Sequence, residues 1–154
     1  MNSEDTRSAL THFYDSLARR DGEAMAAMYA PDAQFEDPVF RLTGTDIGKM
    51  WIALTRRAKE FSIAYTIAQA AAGRGTVELT ARYLYGGRYP VVNVILSELE
   101  LQNGLIVRHR DQFDFSRWAA QALGAPGRLF GRFEFFHKMV CRKAARTLGL
   151  PAKY

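Results

Sequence analysis

Between Ser62 and Ser116 apolar and polar residues alternate with a period of two, and glycine-bearing turns break the alternation three times. The alternation predicts strands over Ile63–Ala68, Val77–Tyr85, Val91–Leu101 and Leu105–Phe115. Gly73-Arg74-Gly75, Gly86-Gly87 and Asn103-Gly104 join them. Connections this short join only antiparallel neighbours, because a parallel pair needs a crossover of a dozen or more residues. A third of the chain is thereby committed to one meander of long strands, which excludes helical bundles and parallel α/β folds.

Helical spacing precedes the meander. Leu10, Phe13, Tyr14 and Leu17 recur at intervals of three and four, which puts His12 on the opposite, solvent side. Asp21-Gly22 ends that helix and caps a short second one with Met25, Met28 and Tyr29 as its stripe, stopped by Pro31-Asp32. Residues 33–40 are extended pieces around Pro38, which biases Asp37 away from helical geometry. A third helix follows Gly44-Thr45, with Ile47, Met50, Trp51, Leu54 and Ala58 on one face. Three helices and then four strands predict an α+β fold: a curved antiparallel sheet wrapped around the N-terminal helices.

Charge separates a second region. Net charge is +5, but residues 117–154 hold eight Lys or Arg against the single acid Glu134, leaving residues 1–116 slightly acidic. The basicity therefore belongs to an extension over 124–154, set off from a 1–123 body by Gly124-Ala125-Pro126-Gly127. A nucleic-acid-binding body would spread its charge over a face and carry a recognisable motif, so nucleic acid is not an expected partner. Residues 128–148 predict an amphipathic helix with Leu129, Phe133, Phe136, Val140 and Ala144 on the apolar side. That side is expected to cover an edge or mouth of the body, the alternative being contact with an anionic membrane surface. No secretory leader or long apolar run is present and Cys141 is the only cysteine, so a cytoplasmic protein is expected.

The last strand carries the chemistry. Period two puts Val107, His109, Asp111 and Phe113 on the face that meets the helices. A carboxylate there must be paired or hydrogen-bonded, since burying it alone costs several kcal/mol. His109 and Asp111 read equally as an internally satisfied structural pair or as a functional one. A third inward histidine is missing, so no metal site is expected. Asp37 is a second candidate, with a turn role as its alternative, and Tyr14 offers an interior hydroxyl.

Tyr29-Ala30-Pro31-Asp32-Ala33-Gln34-Phe35-Glu36-Asp37-Pro38 and Arg110-Asp111-Gln112-Phe113-Asp114, in this order of helices and hairpins, resemble the nuclear transport factor 2-like superfamily over about residues 5–123. The first stretch is similar to that around the general base of ketosteroid isomerases, which falls on Asp37. The second is similar to limonene epoxide hydrolases, whose acid falls on Asp111, and SnoaL-like polyketide cyclases place an acid–base aspartate near the same point. The isomerase's oxyanion tyrosine falls on Phe13, one residue from Tyr14, and its second oxyanion acid falls near Leu96. The resemblance implies a cone with a hydrophobic pocket, a steroid-, terpene- or polyketide-like ligand, cofactor-independent acid–base catalysis and a homodimer through the sheet. Asp37, His109 and Asp111 are the expected polar anchors, and Phe13, Tyr14, Phe35, Met50, Trp51, Leu54, Asn93, Phe113 and Trp118 the expected lining. A non-catalytic binding or interaction domain using the same cone is the alternative.

Overall fold

Asn2 starts the first helix: its side chain accepts from Asp5 N, and the Asp5 carboxylate accepts from Asn2 N. In the computed structural model, which describes residues 1–154, this reciprocal cap opens α1 (Ser3–Ala18). Leu10, Phe13, Tyr14 and Leu17 are buried as their spacing predicts, and His12 is exposed. Asp21 caps α2 (Gly22–Ala26) by accepting from Ala24 N at 3.0 Å.

The second helix ends earlier than expected. Tyr29 belongs to β1 (Tyr29–Glu36), a strand that runs through Pro31-Asp32. The strand tolerates the proline because its pairing is interrupted by a register shift between Tyr29 and Gln34, so no ladder bond is lost there. β2 (Arg41–Thr43) and α3 (Thr45–Arg57) follow, and then β3 (Lys59–Ala71), β4 (Arg74–Tyr85), β5 (Tyr89–Gln102) and β6 (Leu105–Gln112). Strand order is β2-β1-β6-β5-β4-β3. The four meander strands pair antiparallel, whereas β1 lies parallel to β6, its chain having returned through α3 and the whole meander.

The sheet is a cone because its strands are interrupted. Bulges fall between Lys59 and Ser62, between Ile67 and Gln69, and between Glu100 and Leu101, and each bends its strand. α1 lies in the concavity against β3 and β4. Gly75 makes the closest approach possible, since any Cβ there would collide with the Leu10 side chain. Burying Phe13 completely contributes about 1.5–3 kcal/mol relative to leaving it in water.

The C-terminal region departs most from expectation. The last strand stops at Gln112, because Asp114 accepts from Arg117 N and starts α4 (Phe115–Ala122). Phe115 is therefore helical. α5 (Gly124–Phe130) and α6 (Glu134–Leu148) replace the single helix predicted over 128–148. Gly127 lets α5 pack directly on the Ala119 carbonyl of α4. The break before Glu134 rotates the buried stripe of α6 to Phe136, Cys141 and Ala145, leaving Leu129 and Phe133 exposed. No helix is long and apolar enough to cross a membrane.

Candidate functional site

Three neighbouring strands place the candidate residues. The bulge between Glu100 and Leu101 makes Ile106, not Val107, the fully buried residue at the start of β6, and then His109 and Asp111 point inward. Across β5 they stand opposite Leu99 and Ser97. Across β1, Phe35 is level with His109 and Glu36 with Arg110. Asp37 lies one residue beyond the last paired position, at the Asp111 end of the pairing, and feels the Asp111 charge. Adjacent strands lie about 4.8 Å apart, so the topology brings both aspartates to one end of the cone.

A continuous hydrogen-bond chain runs through the interior. Trp51 Nε1–H donates to Tyr29 Oη at 2.9 Å, and Tyr29 Oη lies 2.7 Å from His109 Nδ1. His109 Nε2 is 2.9 Å from Asp111 Oδ1, which also accepts from Ser97 Oγ at 2.5 Å. Indole N–H only donates, so the Tyr29 oxygen accepts from Trp51, and the histidine tautomer sets the direction of its bond with Nδ1. Ser97 Oγ and His109 Nε2 both converge on Asp111 Oδ1, and neither meets Oδ2.

Aromatic rings hold this chain in place. Phe13 and Phe35 meet the imidazole edge-on at 5.5 and 5.1 Å, and Trp51 stacks over it at 6.2 Å. These three, expected as ligand lining, orient the histidine. Met50 is buried beneath α3. Leu54 is a correction: it lies outside the buried stripe of α3, 37% exposed, because Thr55 takes the inward position. Asn93 is on the inner face of β5, level with Ala81. Phe113 and Trp118 form an aromatic rim with Tyr83, whose hydroxyl accepts from Trp118 Nε1 at 2.9 Å. Burial pushes the Tyr83 hydroxyl up to about 12.

Tyr14 is the one fully buried side-chain polar group without a hydrogen-bond partner. Burial first, and then the Asp111 charge, hold its hydroxyl protonated well above the usual tyrosine range, while Ser97 acts in the opposite direction. It is a spare donor beside Asp111.

Asp37 fulfils its turn role and more. Its Oδ1 accepts from Val39 N at 2.7 Å and Phe40 N at 2.6 Å, so a proton on this carboxyl must ride on Oδ2. Burial raises it to about 7 against those two bonds, and the Asp111 charge adds to the rise. The C-terminal region holds the turn from outside. Lys153 Nζ donates to the Asp37 carbonyl at 2.7 Å and pairs with Glu36 at 3.2 Å. His137 Nε2 lies 2.6 Å from the Pro38 carbonyl, and Cys141 Sγ donates to that oxygen.

Sequence reasoning missed Tyr29, Ser97 and Tyr83 as partners. Tyr29 was read onto a helix, and without the β5–β6 bulge the Asn103-Gly104 turn would set Asp111 opposite Leu96. Surface depressions of about 510 and 410 Å³ lie elsewhere, one beside Met1, His12 and Leu105, the other beside Phe115, Arg132 and His137. Asp111 itself is 7% exposed.

The same architecture occurs in solved structures. A ketosteroid isomerase-like protein from Catenulispora acidiphila, crystallised with trimethylamine, superimposes with a TM-score of 0.69 at 19% identity, over 80% of this chain and 97% of that one. A putative polyketide cyclase from Xanthomonas campestris gives 0.67 at 18%, over 79% and 99%. An epoxide hydrolase of the limonene epoxide hydrolase-like type from Mycobacterium tuberculosis gives 0.62 at 21%, over 79% and 91%. At these identities the likeness is one of fold. No curated protein matches the sequence. Residues 10–109, from the buried face of α1 to the inward histidine of β6, match the model of the SnoaL-like domain, and the chain belongs to that family.

Proposed function

We propose that the cone is an acid–base catalyst for an apolar small molecule, with Asp111 as base, Asp37 as acid and His109 positioning Asp111. The observation that carries this reading is the convergence of two aspartates at one end of the cone, one bound by His109 and Ser97 and the other raised by burial to about 7. Asp111 Oδ1 is held by Ser97 Oγ and His109 Nε2. Asp37, raised to about 7, keeps its proton in about half of the molecules at neutral pH. A carboxyl raised in this way beside a second carboxyl can serve as the acid while its neighbour serves as the base.

Asp111 Oδ2 takes a proton from a carbon acid or from attacking water. Asp37 Oδ2 gives one to the oxygen on which negative charge develops, and the Tyr14 hydroxyl donates to the same oxygen. Isomerisation, cyclisation and epoxide opening share this transfer, and none needs a cofactor. Its apolar substrate enters between Trp118, Phe113 and Asn93 once the rim side chains swing outward. Trimethylamine bound to the Catenulispora fold neighbour is consistent with a small-molecule site in such a cone. The alternative, a binding domain without turnover, draws support from the tight packing around Asp111.

A panel of terpene epoxides, β,γ-unsaturated ketosteroids and polyketide esters tests the reading. Asp111→Asn keeps an acceptor for Ser97 and His109 and removes the charge, so the protein should melt within a few degrees of wild type, or higher. Turnover should fall about 100-fold or more. Equal turnover in wild type and variant, or loss of folding in the variant, contradicts the assignment.

A further inference from the structure

Five large apolar side chains stand exposed within one short segment of the C-terminal region: Leu129 (68%), Phe130 (42%), Phe133 (53%), Phe135 (62%) and Met139 (52%). The rings of Phe130, Phe133 and Phe135 lie 5.9–6.5 Å from one another, so they form one knob at the α5–α6 junction. Single exposed apolar residues are ordinary, but a contiguous aromatic knob marks a contact surface. It owes its exposure to the rotation of α6, which commits Phe136, Cys141 and Ala145 to the core and turns Phe135 and Met139 outward.

The charge around the knob identifies the partner. Residues 128–146 carry six Lys or Arg and one acid, Glu134, which is already paired with Lys138. Along α6, Phe135, Met139, Arg142 and Arg146 fall on one stripe, apolar at the start of the helix and basic at its end. A protein groove could cover the rings but would need several acids beside it. An anionic bilayer answers both, taking rings into the headgroup–acyl boundary while phosphates face the cations.

We propose that the α5–α6 tip docks reversibly on an anionic lipid bilayer. His137 links the tip to the candidate site, stacking on Phe115 at 4.0 Å and lying within hydrogen-bond distance of the Pro38 carbonyl beside Asp37. Docking would hold the cone next to a reservoir of apolar molecules. That last link rests on the catalytic reading; the docking itself does not.

Flotation of the full chain with phosphatidylcholine vesicles, with and without phosphatidylglycerol, tests the docking without any substrate. The expected result is binding to the anionic vesicles only, weakened by salt and reduced about tenfold or more by Phe133→Ser with Phe135→Ser. Both positions are exposed, so the variant should keep the wild-type melting temperature. Phe135→Trp provides a second readout, its emission moving to shorter wavelength on anionic vesicles. Absence of binding to anionic vesicles, or binding that the serine variant leaves unchanged, overturns the proposal. So does a chain that floats with neither vesicle but dissociates from a dimer in the serine variant, which would make the knob an interface between copies.

Discussion

Asp37 shows how one side chain can serve both the fold and the proposed chemistry. Its Oδ1 closes the Asp37–Phe40 turn, and its burial keeps the carboxyl protonated up to about 7. The linkage sign is set by that rise. An unfolded chain releases the proton near 3.8 and the folded chain near 7, so the native state binds more protons between them and loses stability as pH increases across that window. Asp37→Asn preserves the acceptor for Val39 N and Phe40 N but cannot ionise. It should leave stability unchanged near pH 4 and gain about 2–4 kcal/mol over wild type by pH 8, read from urea midpoints. Identical pH dependence in the two proteins would show that Asp37 is not held in its neutral form.

At the level of elements, the site depends on a strand pairing and a clamp. The parallel match of β1 with β6 brings Asp37 to the Asp111 end of the cone, while Lys153 and His137 grip the turn from the C-terminal region. Lys153→Ala removes a donor to the Asp37 carbonyl and a partner of Glu36, a loss of about 1–2 kcal/mol locally. Val39 and Phe40 amides should then exchange roughly five- to thirty-fold faster, while core amides of β4 and β5 hold their rates. Uniform acceleration would mean global destabilisation instead of a local clamp. The meander, α1 and α3 were legible in the sequence because period two, helical spacing and turn glycines all act locally. The bulge opposite Glu100 and Leu101 was not, since nothing in Leu105-Ile106-Val107-Arg108 marks Val107 as an extra residue, and it alone sets Ser97 opposite Asp111. The break that rotates α6 had only Gly131 as a local signal, and tertiary packing decided which face turned inward. Asp37, His109 and Asp111 were found as candidates from face and residue type, whereas Tyr29 was hidden because its spacing from Met25 and Met28 reads as a helical stripe although it opens β1.

On the scale of the molecule, the outer face of the sheet exposes Val94 (59%) and Leu96 (37%) beside the strand pairing that forms the cone. Apolar residues on an otherwise polar sheet face fit the homodimer that the family resemblance implies. Sedimentation velocity should give a dimer for the wild type and a monomer for Val94→Glu with Leu96→Glu. A wild-type monomer at micromolar concentration would remove the sheet face as an interface. The central claim, however, is that Asp37 and Asp111 share one site at the end of the cone, where the Asp111 charge helps hold Asp37 in its protonated form. Carbon-13 titration of the Asp37 carboxyl, in wild type and in Asp111→Asn, tests it most directly. The claim predicts a midpoint near 7 in the wild type, moved to lower pH once the Asp111 charge is gone. A wild-type midpoint in the ordinary aspartate range, or one that Asp111→Asn does not move, would contradict it.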